Sequence, residues 1–484
     1  MSGLRVLSVA SEVFPLVKTG GLADVAGALP RALAGNGVTM RTLIPGYPSV
    51  LDAVRGATEI CKLDDLPGGP ARLLEGSHAG LDLLVLDAPA LFARPGNPYV
   101  DERGIPWHDN ALRFGALCAA AADIGRGSIP AFQPDVVHAH DWQAGLAPAY
   151  MHFGGGAHAR SLLTVHNLAF QGHYSADLLT ALKLPAEAHT VDGIEYHGGI
   201  GFLKAGLALA DRINTVSPTY ALEIRTSSGG MGLDGLLRKR AGVLCGILNG
   251  IDTDVWNPAT DTHIAERYDA GHLALRAANK AAVQRRFGLD ADAQALVFGF
   301  VGRLTWQKGV DLLEAVLPVI VRAGAQLVVR GSGEPDIEAR IVAAANAYPG
   351  HVRVIVAHDE GLAHMLQAGI DALLMPSRFE PCGLSQMCAM RYGAIPVVAR
   401  VGGLADTVID ANEMALASDA GTGVQFAPAT AEQLEMAILR VLMLAHDRTR
   451  WRDLQMRAMA TDVGWVRPAA HYAALYRELA AASP

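Results

Sequence analysis

The clearest candidates for chemistry are two cations in the second half of the chain. Arg303 and Lys308 lie five residues apart in the stretch Phe300–Gly309, with no acidic residue between them. Arginine offers a bidentate fork and lysine a compact charge, and together they suit a diphosphate. Such a pair can stabilise a leaving diphosphate without a metal ion. The stretch therefore predicts a diphosphate-binding loop.

Glu380 is the candidate for binding a sugar. It lies in Ser377-Arg-Phe-Glu-Pro-Cys-Gly-Leu-Ser385, beside a proline and near a glycine, after an apolar run that predicts a strand. A carboxylate at the end of a strand is well placed to accept hydrogen bonds from sugar hydroxyls. The residues Gly383 to Ser385 are expected to begin a helix whose N–H groups face a phosphate.

A third candidate, Lys18-Thr-Gly-Gly-Leu-Ala-Asp24, follows the first predicted strand. Gly20 and Gly21 remove two side chains where the chain must turn tightly, and they let backbone N–H groups approach a bound group. Helical spacing after these glycines predicts a helix, whose N-terminus attracts anions. Lys18 adds a positive charge, and Asp24 adds a carboxylate that can form hydrogen bonds.

Histidines follow two further predicted strands. The H-x-H spacing of His138 and His140 puts both rings on one face of a strand, which raises the question of a metal site. A metal needs a third ligand and only Asp141 is close, so we expect none here. His166 and Asn167, after the next predicted strand, suit hydrogen bonding to a polar small molecule. Taken alone, His166 equally fits a core histidine.

Composition argues against several classes of protein. The chain has 484 residues, 51% of them hydrophobic and 18% charged, which is typical of a globular protein of two or three domains. The net charge of −8, without a long Lys/Arg run, gives no basis for a nucleic-acid partner. The five cysteines form no C-x-x-C pair, and no apolar run approaches the ~18 residues of a membrane span. We therefore expect a soluble cytoplasmic protein, and its oligomeric state is left open.

The elements that must position these residues are apolar runs that alternate with helical stretches. This alternation predicts βαβ units and parallel sheets, which bind ligands at their C-terminal edges. We predict two doubly wound α/β domains, residues 1–246 and 247–460, and a last helix in 461–484 that packs back on the first domain. The predicted strands are Leu4–Val9, Arg41–Ile44, Leu81–Leu86, Val136–His138, Ser161–Val165, Arg212–Val216, Leu296–Val301, Gln326–Val329, Val352–Val356, Ala372–Met375 and Ile395–Val398.

The string Gly-Gly-Leu-Ala-Asp occurs twice, at 20–24 and at 402–406, once in each predicted domain. One explanation is chance reuse of a common strand–turn–helix sequence. The other is functional: each domain points a glycine turn into a shared cleft. The sequence leaves both open.

Six stretches together resemble the bacterial glycogen synthase and plant starch synthase family, retaining glycosyltransferases of the GT-B fold. The resemblance implies two Rossmann-like domains facing a central cleft. It also implies transfer of glucose from ADP-glucose to the non-reducing end of an α-1,4-glucan such as glycogen, with release of ADP and without a metal ion or other cofactor. The six stretches follow the family's order along nearly the whole chain: Lys18–Asp24, His138–Trp142, His166–Gly172, Gly302–Gly309, Ser377–Leu384 and Gly402–Asp406.

The resemblance further implies a set of site residues. Glu380 hydrogen-bonds the glucose hydroxyls and His166 lies by the anomeric carbon, while the leaving phosphate acts as the base in a same-face attack. It places His166, Arg303, Lys308, Glu380 and Asp141 at the reaction, and around them Lys18, Gly20, Gly21, Asp24, Asn167, Glu12, Tyr99, Gln307, His358, Cys382, Gly383, Leu384 and Ser385.

Two positions depart from the family's pattern. Cys388 stands eight residues after Glu380, where many retaining GT-B enzymes carry a second glutamate. Ala357-His358 stands where the family usually has Gly-Tyr, a pair that is implied to contact the adenine. A histidine can still stack on the base, but this departure weakens the inference that the donor is ADP-glucose.

Three other functions compete with this interpretation. A related transferase that uses UDP-glucose or a non-glucan acceptor is disfavoured by the Lys-Thr-Gly-Gly-Leu string. An oxidoreductase with two Rossmann domains predicts a G-x-G-x-x-G followed by an acid ~20 residues on, which the chain lacks. A catalytically silent glucan-binding protein is expected to have lost residues such as Lys18, His166 or Glu380, and the chain retains them.

Overall fold

The computed structural model describes residues 3–130, 132–156, 159–357 and 359–481. The chain forms two compact units. Unit 1 is Met1–Gly250 together with Trp465–Pro484, and unit 2 is Ile251–Gly464. The predicted domain boundaries at 246 and 460 lie four residues before these limits.

Unit 1 is built on a nine-stranded sheet whose central strands are parallel. Leu4–Val9 lies in the middle, paired with strands on both sides, and its last four residues are buried. Burial on both faces is the reason that such strands appear in the sequence as apolar runs. From edge to edge the strands are Leu244–Gly246, Arg212–Thr215, Arg160–Val165, Val136–His140, Leu4–Val9, Val38–Pro45, Leu81–Asp87, Ala71–His78 and Thr58–Leu63.

The helices of unit 1 cover this sheet, and the last helix of the chain is one of them. Val466–Ala481 packs its buried residues, including Tyr472, Tyr476 and Leu479, into one apolar cluster with the helix Gly21–Ala34. A small antiparallel sheet is formed by His173–Tyr174, Gly199–Gly201 and Glu195–Tyr196. The other α-helices of unit 1 are Pro48–Ala53, Pro89–Phe92, Asn110–Gly125, Ala147–Gly154, Phe202–Leu209, Pro218–Glu223 and Asp234–Lys239.

Unit 2 is built on a six-stranded sheet in which every pairing is parallel. Its strands are, from edge to edge, Val352–Val356, Gln326–Gly331, Val297–Val301, Ala372–Met375, Ile395–Ala399 and Val424–Phe426. Its α-helices are Arg276–Phe287, Val310–Arg322, Pro335–Ala345, Glu360–Gly369, Ser385–Arg391, Gly402–Thr407, Glu413–Ala417, Ala431–His446 and Arg448–Ala460.

The predicted fold class is confirmed: each unit is a Rossmann-like α/β structure around a largely parallel sheet. Every run predicted as a strand is one, with ends that differ by at most a few residues. The sequence analysis missed the antiparallel strands Thr58–Leu63 and Ala71–His78 at one edge of unit 1. Thr58–Leu63 has three exposed residues and only one fully buried residue, so it carries no apolar run. In the described part of the chain, no helix combines the length and the apolar character needed to cross a membrane.

Candidate active site

Glu12 organises the loop after the first strand of unit 1. Its carboxylate is buried and accepts hydrogen bonds from the backbone N–H groups of Thr19 and Gly20, the latter at 3.3 Å. The hydroxyl groups of Thr19 and Tyr99 also donate to it, at 2.9 and 2.8 Å. Burial raises the pKa of Glu12, and these hydrogen bonds oppose the rise. Glu12 and Tyr99, two of the residues implied to surround the reaction, therefore form one hydrogen-bonded group that also holds the Lys18–Asp24 stretch.

The first Gly-Gly string does not have the backbone geometry that the sequence analysis expected. Gly20 has an extended φ of −158°, which any residue adopts, and a Cβ on it would meet no atom of the described residues within 4 Å beyond its chain neighbours. The tight-turn explanation is therefore wrong for Gly20. Gly21 begins the predicted helix, Gly21–Ala34. The ammonium of Lys18 lies 2.7 Å from the carboxylate of Asp24, so these two charges are paired within the stretch.

Asp141 occupies an unusual backbone conformation at the end of the strand Val136–His140. Its φ of 56° and ψ of −168° fall in a region that is essentially restricted to glycine. One carboxylate oxygen accepts hydrogen bonds from the backbone N–H groups of His166, at 2.6 Å, and Asn167, at 3.3 Å. Burial raises the pKa of Asp141 to about 7, and the charge of Glu12 adds to the rise. The structure thus brings together three predicted site residues at one sheet edge.

His166 is a buried, neutral histidine. Burial lowers its pKa to about 3, so the ring carries no charge near neutral pH. Its Nε2 lies 2.9 Å from Nδ1 of His140. The side chain of Asn167 accepts a hydrogen bond from the N–H of Ala169 at 3.0 Å, which shapes the loop after the strand.

The H-x-H pair is adjacent, as predicted, and three of its four ring nitrogens have hydrogen-bond partners. The rings of His138 and His140 lie 4.0 Å apart between centroids. His138 contacts the hydroxyl of Tyr476 through Nδ1, at 2.8 Å, and that of Thr164 through Nε2, at 2.6 Å. Among the described residues no group of three or more His, Cys, Asp or Glu side chains could hold a metal ion.

Lys308 and Glu380 form an ion pair in unit 2. The ammonium lies 2.5 Å from the carboxylate, and the hydroxyl of Ser377 donates to the same oxygen at 3.0 Å. The side chain of Glu380 is only 6% exposed and that of Lys308 17%, so the pair is shielded from water. The two residues expected to bind the diphosphate and the sugar are therefore direct partners of each other.

Close packing of two loops produces this pairing. Gly309 has a φ of +69°, and a Cβ on it would lie 2.2 Å from the carbonyl oxygen of Pro376. Only glycine therefore allows the Lys308 loop to approach the Glu380 loop. Gln307 links the same loops: its side-chain amide donates to the Phe379 carbonyl at 3.2 Å, and its own carbonyl accepts from Arg378 at 2.9 Å. This position gives Gln307 a structural task alongside the substrate contact that the resemblance implied.

The Cys382–Ser385 segment leads into the helix Ser385–Arg391, as predicted. Gly383 takes a left-handed φ of +71°, and Cys382 is buried. The second Gly-Gly string packs directly on this segment, because a Cβ on Gly403 would lie 2.3 Å from the Cα of Cys382. Both Gly-Gly strings thus begin helices, but their first glycines differ in backbone conformation, with a φ of −158° at Gly20 and +42° at Gly402.

Three predicted positions complete the comparison with the sequence. Arg303 is exposed on the loop that leads to Lys308. Cys388 is buried within the helix Ser385–Arg391. His358, implied at the adenine, lies outside the described residues.

Sequence reasoning missed three residues that hold these groups in place. Ser377 shares the Glu380 carboxylate, and His140 contacts His166. Arg378 makes a two-point ion pair with Asp311, at 2.8 and 2.6 Å. All three residues lie in stretches that the sequence analysis quoted. Ser377 is only three residues from Glu380, whereas Arg378 and His140 have partners 67 and 26 residues away.

The strained backbone of Asp141 makes opposite predictions for two small substitutions. Both Asp141→Gly and Asp141→Ala remove the carboxylate, but only glycine accepts this φ without strain. Relief of ~1–3 kcal/mol of strain, less ~0.4–1 kcal/mol for the more flexible unfolded chain, should make the glycine variant about 1 kcal/mol more stable than the alanine variant. Thermal unfolding of the two proteins measures the difference. Equal stability, or a more stable alanine variant, would show that the backbone is not strained.

The raised pKa of Asp141 predicts a pH-dependent cost to folding. Its ordinary pKa of 3.8 applies to the unfolded chain, so between about pH 4 and pH 7 the unfolded state ionises first and stability falls as pH rises. The loss should reach at most about 4 kcal/mol, from the conversion of 1.36 kcal/mol per pKa unit. Asp141→Asn should abolish this part of the dependence. The difference between urea unfolding curves of the two proteins, from pH 4 to 8, tests this; a difference that is constant with pH would contradict it.

Comparison with known proteins adds to this geometry. Residues 5–239 match the family described as starch synthase catalytic domain, and residues 284–454 match glycosyl transferases group 1. Proteins named glycogen synthase from Rhodopseudomonas palustris strain BisB18 and Methylocella silvestris are 57% and 58% identical. The first alignment covers 100% of this chain and 99% of the relative, and the second covers 99% of each.

Solved structures agree with these relatives. The catalytic domain of starch synthase IV from Arabidopsis thaliana, bound to ADP and acarbose, has a TM-score of 0.89 and 32% identity, covering 99% of this chain and 100% of that one. Sucrose-phosphate synthase from Thermosynechococcus elongatus shares the fold, with a TM-score of 0.60 at 19% identity and coverage of 99% and 100%. The chain belongs to the glycogen synthase and starch synthase family of GT-B glycosyltransferases.

Proposed function

We propose that this protein transfers glucose from ADP-glucose to the non-reducing end of an α-1,4-glucan, with retention of configuration and release of ADP. The observation that carries the proposal is the shielded Lys308–Glu380 pair, which joins a cation suited to phosphate and an acid suited to sugar hydroxyls. Full-length relatives named glycogen synthase support it, as does the starch synthase structure that holds ADP. The proposal includes a cytoplasmic location, for which the support is the sparse, unpatterned cysteine content.

In the proposed reaction, Arg303 and Lys308 bind the donor diphosphate. One N–H of Lys308 is directed at Glu380, and its remaining N–H groups are available to phosphate oxygens. As the bond between the anomeric carbon and the phosphate oxygen breaks, negative charge grows on the diphosphate. Cations already held in place stabilise that charge without reorganising. Glu380 keeps a second carboxylate oxygen for the glucose hydroxyls.

The polar groups of unit 1 are proposed to bind sugar. Asp141 uses one oxygen for two backbone N–H groups, which leaves the other for a hydroxyl. His166 contributes its ring, while Glu12 and Tyr99 take the acceptor or sugar side. The acceptor hydroxyl attacks the anomeric carbon from the side that the diphosphate leaves, and its proton passes to the departing phosphate oxygen. A new C–O bond thereby replaces the one that broke, with the same configuration.

The experiment that tests the function measures ADP release from ADP-glucose with glycogen as acceptor. We expect glycogen-dependent release of ADP and slower release of UDP from UDP-glucose at the same concentration. Faster turnover of UDP-glucose would show that UDP-glucose, and not ADP-glucose, is the preferred donor. Binding of glycogen without turnover of either donor would favour a silent glucan-binding protein.

Lys308→Ala should lower kcat by about 10²–10³, as expected for loss of one preorganised transition-state donor. A matched control is Lys280→Ala, because Lys280 also forms a shielded ion pair in unit 2, 2.7 Å from Asp371. Both variants leave a buried carboxylate without its cation and should lose stability, whereas only Lys308→Ala should lose turnover. Steady-state kinetics and thermal unfolding of both variants separate the two effects. Equal loss of kcat in both variants would show that Lys308 has no specific role in the reaction.

A further inference from the structure

The contact between His140 and His166 is the least explained polar contact in unit 1. The nitrogens Nδ1 of His140 and Nε2 of His166 are 2.9 Å apart, and both side chains are buried. A hydrogen bond between two ring nitrogens requires one proton, which belongs to one ring and is accepted by the other. Burial keeps the pKa of both rings below the ordinary value, so each ring is neutral and carries a single proton. The position of one proton therefore decides the tautomer of both rings.

The other nitrogen of His140 indicates where that proton lies. Nε2 of His140 is buried, and within the described residues it has no hydrogen-bond partner. If His140 were protonated there, a buried N–H donor would be left unpaired, which is rare in proteins. Protonation at Nδ1 leaves only a lone pair without a partner and turns Nδ1 into the donor of the 2.9 Å bond.

We propose that His140 is a positioning residue, which donates its Nδ1 proton to Nε2 of His166 and so fixes His166 as the tautomer protonated at Nδ1. His166 then offers its substrate a hydrogen-bond donor, an N–H, in place of a lone pair. For the transfer proposed above, this donor suits a sugar hydroxyl oxygen as acceptor. The kinetic consequence rests on the proposed function, whereas the tautomer itself does not.

His140 is in turn held by its neighbours. Its ring lies 4.0 Å from that of His138, whose two nitrogens contact the hydroxyl groups of Thr164 and Tyr476. Thr164 also accepts a hydrogen bond from Asn214 at 3.2 Å. Tyr476 comes from the last helix of the chain, so this helix helps to fix the ring of His138, which in turn contacts the ring of His140. Rotation of His140 would break contacts on both sides of it.

The tautomer can be observed directly in the full-length protein. Two-bond 1H–15N correlation spectra of protein labelled with 15N-histidine distinguish a protonated ring nitrogen from a bare one, and the His166 signals are identified by their absence in His166→Asn. We expect His166 to show a protonated Nδ1 and a bare Nε2. A protonated Nε2 on His166 would overturn the proposal, whether or not the protein is a transferase.

Two substitutions of His140 test its action through His166. Asparagine keeps an N–H near the Nδ1 position, whereas leucine has a similar size and no donor. We expect His140→Leu to lower kcat/KM for ADP-glucose by about 10–100-fold, the range for partners that orient metal-bound histidines, and to change the His166 tautomer signals. His140→Asn should restore most of the activity and the original signals.

A purely structural role for His140 predicts a different outcome. Both variants would then lose stability and activity together, with the His166 signals unchanged in His140→Leu, and that result would overturn the proposal. Thermal unfolding of each variant accompanies the kinetics. If His140→Leu does not fold, the wild-type spectrum and His140→Asn still decide, because an Nδ1-protonated His166 is required in both.

Discussion

Parallel pairing of two neighbouring strands in unit 1 is the constraint on which its site depends. In the register of Val136–His140 with Arg160–Val165, His140 lies beside Thr164, and the N–H of Asp141 donates to the Thr164 carbonyl at 2.9 Å. The two strands therefore end at the same edge of the sheet, which brings the side chain of Asp141 to the backbone of His166. A slip of one residue would turn each side chain to the opposite face of the sheet. The apolar cores on those faces prevent such a slip, so packing far from the site sets its geometry.

Buried carboxylates are compensated differently in the two units. Asp141 and Glu12 rely on N–H and O–H donors, whereas Glu380 has the ammonium of Lys308 and the hydroxyl of Ser377. An ammonium supplies a full opposite charge, and removing one partner of such a pair leaves an expensive unpaired charge. Neutral donors compensate less, which is consistent with the raised pKa values of Asp141 and Glu12. In each unit, the residues of a neighbouring loop decide whether the buried carboxylate is compensated by neutral donors or by a cation.

Sequence reasoning was most successful where local patterns carry the information. Strands buried on both faces appear as apolar runs, so the sheets and the polar residues after each strand were predictable. Pairings were not: Lys308 and Glu380 are 72 residues apart, and His140 and His166 are 26 apart. The positive φ of Asp141 could not be predicted from the sequence, because the usual sign of such a conformation is a glycine. The same limit applies to the two identical Gly-Gly strings, whose first glycines adopt different backbone conformations, extended at Gly20 and with a positive φ at Gly402.

Burial gives the two sets of site residues different electrostatic characters. It lowers the pKa of His166 to about 3 and raises that of Asp141 to about 7, and both shifts favour the uncharged form. The strand ends of unit 1 thus offer polar groups with little net charge, which matches a neutral sugar. In unit 2 the cations Arg303 and Lys308 outnumber the carboxylate of Glu380 in the same pair of loops, which matches an anionic diphosphate. A histidine with so low a pKa is not an imidazolium near neutral pH, so it cannot serve as a general acid, although its single N–H can still donate a hydrogen bond. His166 is therefore suited to hold a hydroxyl through a hydrogen bond, which in the reaction proposed above leaves the proton of the acceptor to the departing phosphate.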